Sequence, residues 1–206
     1  MVIRRVSQRG GSLVELMVAS LLGLLVLAMI GSLMISMQRM LTERGLRLLL
    51  AQNLSSAIQQ MKEDAQRAGY NGIEASSLML SGADAVLHVE SDPALLGYVY
   101  RVASSGNEVF RHVVYRLEEG KLKLCEKDHP DILTVVSAAV SGYQGVCFSL
   151  FEPAQIRVTA FRPTTQVLIS NATRSGFTSI TLEAQLAAKP AVSQAVSVAL
   201  KHRNWQ

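Results

Sequence analysis

A chain of 206 residues, 49% hydrophobic and 17% charged, is long enough to bury one core with an additional element and too apolar for the disordered class. Its formal net charge is +4, but Arg4, Arg5 and Arg9 cluster ahead of the first apolar run. Without them 17 basic residues face 16 acidic ones, a near-neutral balance that removes the bulk argument for strong nucleic-acid binding.

The chain opens with a short basic segment, passes through Gly10, Gly11 and Ser12, and enters an apolar stretch interrupted only by Glu15. From Leu16 to Met37 there are 22 residues without a charge, enough to cross a hydrocarbon core as a helix rising about 1.5 Å per residue. Arg4, Arg5 and Arg9 favour a cytoplasmic N-terminus, although Arg39, Arg44 and Arg47 beyond the other end leave the asymmetry modest. A secretory signal peptide predicts a shorter apolar region closed by a small-x-small site, and residues 35–40 offer none. No cysteine follows the run, which excludes a lipoprotein signal. A plain signal anchor, making a simple single-span envelope protein, fits the hydrophobicity equally well but leaves Glu15 unexplained. Glu15 is open to two readings: a functional intramembrane acid, or a carboxylate at headgroup depth favoured by the helix dipole.

The run Gly10-Gly11-Ser12-Leu13-Val14-Glu15-Leu16-Met17-Val18 resembles the processing site of type IV prepilins and pseudopilins. In that family cleavage follows a glycine and a glutamate stands at a fixed short offset after it. The resemblance implies that Gly10 ends a leader (1–10) removed by prepilin peptidase, that Gly11 becomes the N-methylated terminus, and that Glu15 acts in assembly. Gly11 replaces the usual phenylalanine or methionine, and the apolar helix (11–37) lacks the mid-helix proline of major pilins. Gly31-Ser32 occupies that region as a possible kink. Both departures point to a minor subunit.

Residues 38–69 continue the helical period. Leu41, Leu48, Leu49, Ala51, Leu54, Ala57, Ile58, Met61, Ala65 and Ala68 form the apolar face, and Gly69 is the stop. One helix of about 55 residues is predicted, its second half lying on the chain's own sheet. The segment Met61-Lys-Glu-Asp-Ala-Gln-Arg-Ala-Gly-Tyr-Asn-Gly72 is similar to the helix end of PilW-type minor pilins, the group that includes prepilin peptidase-dependent protein B.

Residues 70–206 read as a β-rich domain. Strands are predicted at Ala85–Glu90, Leu96–Ala103, Glu108–Leu117, Lys121–Glu126, Ile132–Ser137, Gly145–Leu150, Gln155–Phe161, Ser179–Ala187 and Val192–Lys201. Turns are placed at 104–107 and 118–121, and Pro163–Ser175 reads as a polar loop. The final strand and its Arg-Asn ending also resemble the PilW type. The fold class is therefore α+β, type IV pilin-like: a long helix packed on an antiparallel sheet.

Cys125 and Cys147 are the only cysteines, and both fall on the side argued to be exported. One disulfide is favoured there over two free thiols. Cys125, His129 and Cys147 can be drawn as a zinc site but lack a fourth ligand, so no metal is expected. No nucleophile elbow or phosphate loop is present, and neither enzymatic activity nor a cofactor is expected. Asp128 and Asp131 flank Pro130 as in a solvated turn. The resemblance implies an inner-membrane, single-pass subunit with a periplasmic domain. Its partners would be prepilin peptidase, other minor pilins, the major pilin, the inner-membrane assembly platform and the lipid bilayer. A J-type minor pseudopilin of a type II secretion system shares these features, and an adhesion or DNA-uptake subunit at a pilus tip is a reading of another class.

Overall fold

A computed structural model of the chain describes residues 12–72, 76–102, 109–170 and 173–202, with side chains for all of these except 167–170 and 173–175. Gly10 and Gly11, the 104–107 turn and Asn171 lie outside the described residues. The chain divides into two compact units, residues 1–45 and 46–206.

Helix α1 spans Leu13–Ala65, 53 residues. In the first unit its large apolar side chains from Leu13 to Met37 are 50–74% exposed. Helical hydrogen bonding runs through Gly31 and Ser32 without a break, and the Ser32 hydroxyl donates back to Met29 O at 2.8 Å.

In the second unit the buried face of α1 is Leu50, Leu54, Ala57, Ile58, Met61 and Ala65, with Leu46 partly buried beside them. Leu41, Leu48 and Leu49, expected on that face, are exposed instead. Residues 48–51 are all apolar, so the local pattern does not fix a phase; the spacing from Leu46 through Leu50 and Leu54 to Ile58 does.

Five strands form the first sheet, in the order β1 (His88–Ser91), β2 (Ala94–Val102), β3 (Val109–Glu118), β4 (Lys121–His129) and β5 (Phe148–Ser149), each antiparallel to the next. Glu119 and Gly120 join β3 to β4 at φ of 50° and 76°, the two positive values that a two-residue type I′ turn requires. Side chains alternate. Leu96, Tyr98 and Tyr100 enter the main core with α1, while Leu95 and Val99 face a second cluster. That second cluster is closed by Leu78, Leu80 and Ala138, so this sheet is covered on both faces.

A second sheet holds β6 (Ile156–Ser170), β7 (Thr173–Leu186) and β8 (Ser193–Lys201). Its Phe161, Ile180, Leu182 and Leu200 complete the main core. Two sheets, rather than one, therefore meet the helix.

Three local expectations are corrected. The loop predicted at Pro163–Ser175 forms the facing arms of the β6–β7 hairpin, paired from Pro163↔Ile180 to Ser170↔Thr173. Pro163 reads as a breaker, but β6 is an edge strand, where proline is tolerated. The strand predicted at Ile132–Ser137 is a single bridge, Thr134 to Ser81, followed by helix α2 (Val135–Val140). Thr134 accepts from Ser137 N and caps that helix, overriding the β-branched Val135 and Val136. The strand predicted at Gly145–Leu150 shrinks to two residues, because Gly145 turns at φ 91°.

Candidate functional site

The N-terminal turn of α1 is organised by Ser12, whose carbonyl accepts from Glu15 N at 2.9 Å and Leu16 N at 3.2 Å. Glu15 stands in that first turn and is exposed, where the positive end of the helix dipole favours a carboxylate. Hydroxyls in and after the apolar run bond to their own helix: Ser20 to Met17 O at 2.9 Å and Thr42 to Gln38 O at 2.9 Å. They therefore need no water. Gly23, Gly31 and Gly45 have open space where a Cβ would stand. This half of α1 is long and apolar enough to cross a membrane.

The second unit holds the helix end by a carboxylate. Asp64 accepts from Tyr98 OH at 2.7 Å and Tyr100 OH at 2.9 Å, with Arg67 Nη1 at 3.8 Å. Burial, then the neighbouring Tyr115 and Asp64, push the Tyr98 hydroxyl well above its ordinary pKa. Burial and Asp64 raise Tyr100 to about 12. The chain then turns at Gly69, φ 76°, whose N–H donates to Val99 O at 2.9 Å, and Arg101 N donates to Tyr70 O at 2.8 Å. An open cleft beside this corner is lined by Glu63, Asp64, Arg67, Tyr115 and Glu126. The sequence signalled the acid-rich turn but not the tyrosines that use it.

A third feature is the segment 131–147. Cys125 and Cys147 are joined, with Cα atoms 4.4 Å apart. His112, buried, accepts from Leu133 N through Nε2 at 3.0 Å and donates from Nδ1 to Lys127 O at 3.3 Å, which fixes a neutral ring. Burial lowers its pKa. Gly142 packs so closely on the Val146 carbonyl that a Cβ there has no room. The segment thus presents Val136, Val140, Tyr143 and Val146, 61–81% exposed, and residues 132–151 carry no charge. A nucleic-acid interface needs cations, and this surface offers none.

Asp128 belongs to β4 rather than to a solvated turn, and it accepts two bonds from Arg111 at 2.7 and 3.0 Å. Among the described residues no group of three or more His, Cys, Asp or Glu side chains converges as for a metal ion.

The family model for prepilin peptidase-dependent protein B matches residues 44–201. Among solved structures the chain is similar to a type IV-like pilin from Thermus thermophilus. The identity is 11% and the TM-score 0.47, over 76% of this chain and 98% of that one. No curated protein matches the chain.

Proposed function

The chain belongs to the prepilin peptidase-dependent protein B family, and on that premise we propose that it is a minor pilin acting in the initiation and assembly of a type IV pilus. The family is one of structural subunits and not of enzymes, and the apolar N-terminal helix makes this a membrane-anchored member. In this reading the leader is cut after Gly10, Gly11 is N-methylated, and the inner membrane holds α1 with the second unit in the periplasm.

The observation that carries the reading is the exposed apolar half of α1 with a single acid in its first turn. An unpaired carboxylate at the edge of a hydrocarbon core is costly, and the freed amine of a neighbouring subunit is the partner that removes the cost. The helix then exchanges lipid for the helices of other subunits. The test is twofold. Gly10→Ala is expected to accumulate as precursor, heavier by the ten leader residues. Glu15→Ala is expected to be cut and methylated normally yet to leave pili sparse; full piliation in that variant refutes the proposal.

A further inference from the structure

The segment after β4 is tied to the first sheet at both ends. At the far end the tie is the Cys125–Cys147 disulfide, which does not titrate. At the near end it is two histidine rings, 6.5 Å apart and edge to face. His112 on β3 accepts from Leu133 N through Nε2 at 3.0 Å, and His129, at the end of β4, accepts from Asp131 N through Nδ1 at 3.0 Å. Each bond needs a bare ring nitrogen, so each lasts only while its ring is neutral.

A proton affects the two rings differently. His129 Nδ1 also lies 3.0 Å from Asp131 O, with the Asp131 carboxylate 4.0 Å away. Once protonated it exchanges an accepted bond for a donated one at the same residue, and the contact survives. In His112, Nδ1 already donates to Lys127 O at 3.3 Å, so a proton arrives at Nε2 and sets a second donor against the Leu133 N–H. The residue is only 1% exposed, so the opposed donors are relieved by movement of the backbone rather than by entry of water. Two other bonds of that corner, Ser81 N to Leu133 O at 3.0 Å and Val135 N to Ser81 O at 3.2 Å, join it to a loop and not to the sheet.

We propose that His112 is a pH-operated latch, which seats the corner 131–135 and the start of α2 on the first sheet when neutral and releases them when protonated. The disulfide keeps the far end attached in both states, so the release swings α2, with exposed Val136 and Val140, and leaves Val146 in place beside Cys147. The charged or titratable groups about the ring are Arg111 on its own strand, Arg101 on β2, Lys127, Asp128 and His129 on β4, and Asp131 beyond it. The loop through Ser81 adds the exposed Asp84, and α2 adds none. Asp128, an acid that would steady a His112 cation, is already paired with Arg111. Burial outweighs Asp128 and the Lys127 and Phe110 carbonyls and lowers the ring's pKa, so the latch stays shut until pH falls below the ordinary histidine value of about 6.5.

The test is amide hydrogen exchange of the full-length chain in dodecyl maltoside, read by NMR and divided by the intrinsic rate at each pH. Between about pH 7.5 and about pH 5, protection of the Leu133 amide is expected to fall at least about fivefold. Protection of the Leu150 amide, which donates to Leu122 O beyond the disulfide, is expected to fall clearly less. In His112→Gln the amide oxygen accepts without titrating, and Leu133 protection is expected to be the same at both pH values. A smaller loss at Leu133 in wild type, an equal loss at Leu150, or an undiminished loss in His112→Gln overturns the proposal. Should His112→Gln fail to fold, the wild-type ring decides: its titration midpoint by NMR must match that of the Leu133 loss, and a gap of more than about one pH unit overturns the latch. His129→Gln is expected to retain the loss at Leu133; if it abolishes that loss, the assignment to His112 is refuted.

Discussion

Asp64→Ala tests how the helix is fastened to the sheet. The substitution removes the acceptor of two tyrosine hydroxyls, at 2.7 and 2.9 Å. A hydrogen bond to a charged group contributes about 1.5–3 kcal/mol. The two are not equivalent. Tyr98 is 0% exposed, so its hydroxyl is left buried without that partner, while the Asp64 side chain is 25% exposed and water recovers part of the loss on its side. A cost of about 2–4 kcal/mol follows, placed below the simple sum for that reason. For a domain of this size it corresponds to a fall in thermal midpoint of roughly 5–15 °C. The assay is thermal unfolding of the full chain in detergent, followed by the near-ultraviolet tyrosine signal. Tyr98→Phe, which removes the donor and keeps the ring in the core, completes a double-mutant cycle, with a coupling of about 1–2 kcal/mol expected. A midpoint for Asp64→Ala within about 1 °C of wild type, or a coupling near zero, refutes the argument.

Three further outcomes are expected. Cys147→Ser opens a loop with a sequence separation of 22 and should cost about 3 kcal/mol on chain-entropy grounds, read as the midpoint difference from wild type under oxidising conditions. Leu54→Ala, at a fully buried position of the α1 face, should cost about 2–5 kcal/mol; less than about 1 kcal/mol would show that this face does not carry core packing. His112 and His202 both have lowered pKa values, caused by burial, so the unfolded chain binds protons that the folded chain does not. Their contribution is full above the ordinary histidine pKa of about 6.5 and is lost as pH falls through the lowered values. The midpoint should therefore drop as pH falls below the ordinary histidine value of about 6.5, and the slope should be shallower in His112→Gln.

The N-terminal half of α1 was legible because its constraints are one-dimensional. A span needs a length of apolar residues, and a helix start needs a suitable first turn; both can be read along the chain. The hairpin turn at Glu119-Gly120 was legible for the same reason, since its chemistry is local. What escaped was decided by neighbours distant in sequence. Leu48 and Leu49 look identical to Leu50, and only the position of the sheets makes Leu50 the buried one. Thr134 caps α2 where a strand was expected, and Ser81, more than fifty residues earlier, holds that corner through Val135 N. Pro163 marks a break only if its strand is central, and strand order is a property of the fold.

The helix end shows why a resemblance can locate a feature without explaining it. The stretch from Met61 to Gly72 stood out in the sequence as a pattern, while its physical content lies in partners 30 to 36 residues away: Tyr98 and Tyr100 on Asp64, Val99 O on Gly69 N, and Arg101 N on Tyr70 O. These contacts come from four successive residues of β2 and together fix both the end of the helix and the turn that leaves it. Gly69 is required by its φ of 76°, and Asp64 by two hydroxyls, one of them beyond the reach of water. The pattern is thus a corner joint between helix and sheet, a structural demand separable from assembly. Asp64→Ala should lower stability and leave the proposed leader cleavage after Gly10 unchanged, whereas Glu15→Ala should leave both stability and that cleavage unchanged and still impair assembly.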